Sequence, residues 1–312
     1  MESVTSIPEP EMRQVEHASL DRAASIFVTG APPALLVLAI VFSWGSLLHW
    51  QDAVVFTVTY LAVGIGVTVG YHRLFTHRSF KATPAVKATL AILGSAAAEG
   101  AVIEWVSTHR QHHQFSDAEG DPHSPHVGQG SGIWGQIRGL FHAHIGWVFG
   151  DSQRADENRY APDLTKDPLV EFLNRTWLVW VLVGLAFPFA LGWTLTGSVI
   201  GGLTGLLWGG AVRIFVLHHT TFSINSLCHF FGRKRFETGD ESRNLAWLAP
   251  FTLGEAWHNN HHAFPTSARH GLGRWQLDPS AGVIWTLERL GLAWDVVRIT
   301  PERQARKAVT ST

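Results

Sequence analysis

Five apolar runs mark the chain, at about 32–49, 53–71, 84–103, 177–197 and 199–217, with polar segments between them. Each run is close to the ~20 residues a helix needs to cross a bilayer. The polar segments carry three histidine clusters: His72-Arg-Leu-Phe-Thr-His77, His109-Arg-Gln-His112-His113 and His258-Asn-Asn-His261-His262. The first two flank the 84–103 run. If that run crossed, they would sit ~30 Å apart on opposite faces and could share no site. The run also holds Lys87 and Glu99, with Glu104 at its edge, and charges are costly in lipid. It is therefore predicted to re-enter the membrane or lie along its surface.

The expected fold is an all-α membrane protein. Four transmembrane helices form two hairpins, 32–49 with 53–71 and 177–197 with 199–217, beneath a helical cap carrying the histidines. Thr196-Gly197-Ser198 suits a tight turn, and Pro188 a kink. All three clusters and both termini then share one face with Arg154, Arg159, Lys166 and Arg175. The positive-inside rule makes that face cytosolic. The expected division is a polar tail over 1–30, an integral-membrane unit over 31–295 and a polar tail over 296–312, frayed from Thr300. The first 25 residues hold Glu2, Glu9, Glu11, Arg13, Glu16, Asp21 and Arg22, which is not the pattern of an export signal.

Composition agrees. Charged residues are 16% of the chain, against about 25% in soluble domains. Fourteen Trp suit a membrane interface. The one cysteine, Cys228, excludes an internal disulfide and a cysteine-ligated metal. A net charge of −1 gives no polybasic signature for nucleic acid.

The clusters hold eight of 18 histidines. Residues 109, 112 and 113 are spaced i, i+3, i+4 and share one face of a helix. Residues 258, 261 and 262 repeat the spacing. His72 and His77 are i, i+5, about 140° apart on an ideal helix, and converge only if the helix ends or bends. Neutral imidazole is a common ligand for iron, zinc and copper. A lone histidine near a membrane reads as a polar tip; a repeated H-x-x-H-H does not. Eight ligands exceed the three or four of one mononuclear site, so two metals close together are expected. The single Glu-x-x-His match, Glu255-Ala-Trp-His258, separates the chain from soluble di-iron bundles. Asp117, Glu119, Asp121 and Glu255 are candidates to orient the imidazoles.

These motifs resemble those of the membrane fatty-acyl desaturases of the stearoyl-CoA type. His72-Arg-Leu-Phe-Thr-His77 matches an H-R-L-x-x-H box. His109-Arg-Gln-His112-His113 matches H-R-x-H-H, with Asp121-Pro122-His123 as the family's D-P-H. Gly254-Glu255-Ala256-Trp257-His258-Asn259-Asn260-His261-His262 matches the third box, and the likeness runs from about residue 32 to 290. The resemblance implies a di-iron centre with nine histidine ligands. The ninth is His229, from Asn225-Ser226-Leu227-Cys228-His229, and Asn225 would hold a metal-bound water. Glu255 and Asp121 are the outer partners. The implied activity is O2-dependent removal of two hydrogens from neighbouring methylenes, leaving a cis double bond at the Δ9 position.

The resemblance also implies an acyl-CoA substrate, with acyl carrier protein or an acyl lipid as alternatives. Animal acyl-CoA members carry Arg-Asp before the second box; this chain has Ser107-Thr108. Gly-Glu-Ala replaces the frequent Gly-Glu-Gly of the third box. Electrons would come from a ferredoxin, a cytochrome b5 or an NAD(P)H reductase. Trp105, Trp257 and Phe115 are expected along the acyl tunnel, with His142 and His144 helping to line it. His218 and His219 are expected as interface or outer groups. A bacterial cytoplasmic membrane suits the chain better than endoplasmic reticulum. A membrane hydroxylase is the nearest rival. A metal transporter would need its ligands at mid-membrane depth.

Overall fold

The computed structural model describes residues 10–14, 18–43, 48–150 and 153–309. Residues 44–47 of the first apolar run lie outside these, as do the outermost parts of both tails. The chain is mainly helical. Strand β1 (Met12–Gln14) precedes α1 (Ala18–Ser43) and α2 (Trp50–Ile65). The α2 helix continues as a π-helix over Gly66–Thr76. Short strand β2 (Lys81–Ala82) leads into α3 (Pro84–Ser95) and α4 (Val102–Phe115). Next come α5 (Gly132–His144), β3 (Gln153–Ala155), α6 (Glu157–Tyr160) and α7 (Pro168–Arg175). A tight pair follows: α8 (Trp177–Thr196), then α9 (Val199–Leu206), a π-helical Leu207–Val212 and α10 (Arg213–Leu227). After a long irregular stretch come α11 (His258–Ala263), α12 (Pro279–Arg289), β4 (Ala293–Trp294) and α13 (Pro301–Lys307).

Among the described residues, three helices are long and apolar enough to cross a membrane: Trp50–Thr76, Trp177–Thr196 and Val199–Leu227. Four were expected. The helix over the first run, α1, has Pro32 and Pro33 inside it, and its continuous apolar part, Arg22–Val37, falls short of a span. α8 and α9 pack against each other across a short turn. Gly197 ends α8 with φ 68°, and the Ser198 hydroxyl accepts from Gly201 N to start α9; that left-handed φ costs glycine little.

The 84–103 run does not form one helix. It breaks after Ser95 and resumes at Val102. Thr83 caps α3, with Pro84 in the first turn. The helix packs tightly on the π-helix through glycines: a Cβ on Gly66 would meet Gly94 N at 2.3 Å, and one on Gly94 would meet the Tyr71 ring at 2.4 Å. The turn between α3 and α4 is buried against the hairpin. Arg213, fully buried, donates to Ala96 O at 2.7 Å and to Gly184 O at 3.3 Å, and the His218 ring is 2.8 Å from Ala97 O.

The main core joins the π-helix, α3, α4, α7 and α12 through Val69, Tyr71, Leu90, Ile103, Val106, Leu173 and Ile284. Two small antiparallel sheets clip the ends: β1 pairs with β3 (Arg13↔Arg154), and β2 with β4 (Ala82↔Ala293). The segment expected to fray from Thr300 is ordered through α13. Phe236, Phe264 and Ile299 form a core beneath it, and the Thr300 hydroxyl caps the helix.

Candidate metal centre

Three helical pieces and one loop deliver the histidines. In the π-helix the turn is one residue wider than in an α-helix, with i→i+5 bonds. His77 N donates to His72 O at 3.1 Å in that pattern, which stacks residues five apart. The His72 and His77 rings lie 4.8 Å apart. The bend that sequence spacing demanded is thus a widened helix. On α4, His109, His112 and His113 share a face, while Arg110 anchors the helix to Asp163 at 2.6 Å and to Phe75 O at 2.7 Å. On α11 the intervening asparagines hold the surroundings. Asn259 Oδ1 accepts from Arg235 N and Phe236 N, and Asn260 Nδ2 donates to His270 O. His229 begins the stretch after α10.

These nine residues gather into two adjoining sets. His72, His77, His109, His113 and His261 have donor atoms within 4.8 Å of one another, and so do His112, His229, His258 and His262. Within the first set, Nε2 atoms line up nitrogen to nitrogen: His72 to His261 at 3.1 Å, His261 to His113 at 2.9 Å, His113 to His109 at 3.1 Å. In the second, His229 and His258 face each other at 3.0 Å. His77 Nε2 and His262 Nε2 are buried without a hydrogen-bond partner. Buried lone pairs converging without donors are costly, and a shared cation in each set relieves that cost. The all-imidazole donor sets suit transition-metal ions rather than Mg2+ or Ca2+.

A carboxylate stands behind four of the rings. Glu255 Oε2 lies 2.6 Å from His72 Nδ1, Asp121 Oδ1 3.0 Å from His112 Nδ1, Asp117 Oδ2 2.7 Å from His229 Nδ1, and Asp240 Oδ2 2.7 Å from His262 Nδ1. Such a partner keeps the proton on Nδ1 and frees Nε2 as a donor atom. Burial pushes His109, His113, His258 and His261 well below the usual imidazole range, which leaves them in the neutral, ligating form. Burial alone would raise Asp117, but the hydrogen bond and charge of His229, with the backbone N–H of Glu241, together outweigh this and bring it to about 2. Burial opposes ionisation of Glu255 as well, and Arg73 with the neighbouring histidines holds it far below the carboxylate range.

Of the sequence-derived outer partners, Glu255 and Asp121 sit on imidazoles, as does Asp117; Glu119 is exposed. The Asp240 carboxylate was missed, since nothing in Thr238-Gly-Asp-Glu-Ser242 marks it. The buried set Arg73, Asp278 and His270 around Glu255 was also missed: Arg73 reaches Glu255 and Asp278 at 2.9 Å each, and His270 Nδ1 is 2.9 Å from Glu255 Oε2. Arg73, fully buried between two acids, does not face water.

A cavity of about 480 Å³ opens beside the histidines, lined by Tyr60, Val67, Trp105, Leu217 and Thr221 and reaching His72, His109 and His258. Asn225 and His142 line it too, as does His218. Three expected lining residues do not. The Trp257 indole turns away to Leu277 O at 2.8 Å. Phe115 packs with Ala155 and Tyr160. His144 is engaged by Ser226 Oγ at 3.0 Å and His219 Nδ1 at 2.9 Å.

Comparison with known proteins matches the fatty acid desaturase family model over residues 48–281. The chain is 48% identical over 233 residues to a hex-5-enoyl-[acyl-carrier protein] acetylenase of Moorena producens (strain JHB), covering 74% of this chain and 72% of that protein. It is 40% identical over 261 residues to the delta-9 acyl-lipid desaturase 1 of Arabidopsis thaliana, covering 83% and 79%. It is 38% identical over 285 residues to the acyl-CoA 5-desaturase AL21 of Anemone leveillei, covering 90% and 81%. The histidine boxes, their convergence and these matches agree: the chain belongs to the fatty acid desaturase family.

Proposed function

We propose that this protein is a membrane di-iron desaturase that introduces a cis double bond into a long-chain fatty-acyl group with O2. The observation that carries the reading is the gathering of nine imidazoles into two carboxylate-backed sets at the wall of a mainly apolar cavity. The ligands proposed are His72, His77, His109, His113 and His261 for one iron and His112, His229, His258 and His262 for the other. Asn225, on the same cavity wall, is proposed to hold a water. Two irons there would supply O2 activation and hydrogen abstraction from an unactivated methylene.

The chain's own residues position the substrate and exclude water. A methylene has no polar handle, so the double-bond position is set by cavity length. Glu255, Asp121, Asp117 and Asp240 each hold a proton on Nδ1 and keep Nε2 available.

The proposed topology has four crossings and the site in the cytosol. β1 is paired with β3 of the cap, whereas α2 starts at the opposite end of the helices. A 26-residue α1 is ~39 Å long at 1.5 Å per residue, which supports its bridging the two sides. Arg154, Arg159, Lys166 and Arg175 support a cytosolic cap.

The finer substrate proposed is acyl-CoA with Δ9 insertion. A glycerolipid carrier is the second reading, favoured by one observation: Ser107 is fully buried and bonded to Ile103 O at 2.8 Å, so Ser107-Thr108 offers no charge to the CoA phosphates.

The test is the fatty-acid profile of desaturase-deficient cells expressing the chain, with His112→Ala as control, followed by assay with the acyl group on CoA, acyl carrier protein and glycerolipid. A cis monoene found only with the wild type is expected. A hydroxy acid in its place would convert the reading to hydroxylase. No product on any carrier with a competent reductant would end it.

A further inference from the structure

The chain carries a net charge of −1, but its cations are not evenly spread. Residues 233–243 and 298–307 together hold eight Arg and Lys against four acids. The two segments lie side by side: Phe236 bridges Ala308, Glu237 N donates to Lys307 O, and the Arg235 guanidinium donates to Gln304. Two of the four acids are committed. Asp240 is held by His262, and Glu241 by both Lys234 and Arg243. Arg233, Arg303 and Arg306 are exposed, and among the described residues no acid pairs with them. A groove lined by Arg269, Arg274 and Gln304 continues the face.

This basic face is the outer covering of α11. The Lys307 ammonium donates to Ala263 O at 2.8 Å, one residue from His262. Arg235 N donates to Asn259 Oδ1 at 2.7 Å, one residue from His258. Beneath, the Phe236 and Phe264 rings pack edge to face at 5.0 Å, and Phe264 N donates to His261 O and Asn260 O. The face is separated from two histidines of one set by a single layer of covalent and hydrogen-bonded links.

We propose that this face, centred on Arg233, Arg303 and Arg306, is the docking site for a small acidic one-electron carrier protein, and that electrons enter the site through α11. This rests on the proposed O2-dependent reading. In each turnover two C–H bonds of the acyl chain break and a C=C bond forms. O2 takes up those two hydrogens, two protons and two electrons, and leaves as two waters. The electrons come from two reduced carriers, oxidised one at a time. An exposed cationic patch over a short covalent route to two of the histidines provides charge complementarity, which acts mainly on encounter rate and salt dependence.

The experiment uses the iron-loaded chain in phosphatidylcholine nanodiscs, with a plant-type [2Fe–2S] ferredoxin as probe. Binding and the stopped-flow rate of reduction are followed against ionic strength. The triple variant Arg233→Glu, Arg303→Glu, Arg306→Glu should bind about tenfold more weakly at low salt and lose most of the salt dependence. Its reduction by dithionite should match wild type. The milder pair Arg303→Gln, Arg306→Gln should fall between, guarding against misfolding. Unchanged binding in the triple variant overturns the inference. So does failure of the wild type to bind ferredoxin, or a face that instead binds phosphatidylglycerol vesicles through the same arginines. If dithionite reduces no metal at all, the proposed function fails. Salt-dependent binding lost in the triple variant would then still support the docking face.

Discussion

Replacing Glu255 with Gln separates the two proposed irons. Glu255 Oε2 is 2.6 Å from His72 Nδ1, and its other oxygen is 2.9 Å from buried Arg73. A glutamine keeps its carbonyl on the guanidinium and turns its NH2 toward His72. The imidazole must then accept at Nδ1 and carry its proton on Nε2, the nitrogen facing His261 at 3.1 Å. A donor nitrogen of the first set is lost, and none of the second. Loss of such an outer partner costs about 10–100-fold in metal affinity, or ~1.4–2.7 kcal/mol. Breaking a buried ion pair costs ~3–5 kcal/mol when a charge is stranded. Here Asp278 stays 2.9 Å from Arg73, so the destabilisation should fall below that range. The assay is iron per chain during graded chelation, with thermal unfolding in parallel. One iron should leave about 10–100-fold more readily and the other as in wild type, while Asp240→Asn should weaken the other set. Equal loss of both irons, or unchanged retention, would refute the division into sets.

Further outcomes can be checked. Burial raises the Glu99 carboxyl to about 7 despite hydrogen bonds from Thr221 and Trp105. A folded pKa above the unfolded value means the folded chain binds the extra proton. Glu99 should therefore cost no stability below pH ~4.5 and progressively more as pH rises toward 7. Melting temperatures of Glu99→Gln should lose that slope; an identical slope would remove Glu99 as its source. A Cβ on Gly139 of α5 would meet Pro125 O at 1.9 Å, a backbone contact that no rotamer relieves. Gly139→Ala should cost ~1–3 kcal/mol, read as a lower melting temperature, and a stabilised variant would contradict the packing. Single cysteines at Lys81 and at Glu119, which flank the 84–103 run and are both exposed, should label from the same side of intact cells. Labelling from opposite sides would mean that 84–103 crosses.

The sequence made the centre legible because its signal is local. H-x-x-H-H repeats on α4 and α11, and a helix face follows from spacing alone. Long-range partners were hidden. Asp240 lies 22 residues from His262, and Asp278 lies 205 residues from Arg73; no periodicity links such pairs. Apolar content marks three candidate spans, whereas the described apolar part of α1, Arg22–Val37, is shorter than a crossing. Aromatic identity misled at Trp257, where a buried indole N–H needed an acceptor and turned from the cavity to Leu277 O.

The π-helix from Gly66 to Thr76 also works as a ruler. One strip of chain carries Val67 and Thr68 on the cavity wall, Gly70 against α3, and His72 and His77 in the centre. A π-helix is in effect an α-helix that has absorbed an extra residue. Deleting one residue between the two histidines would still leave them on one face of an ordinary helix. Everything before the deletion would turn by ~100°, carrying the wall of the cavity away from the centre and the glycine seam away from α3. The geometry of the centre and the wall of the cavity are thereby written into the same register, so neither can be altered by insertion or deletion within this helix without rewriting the other.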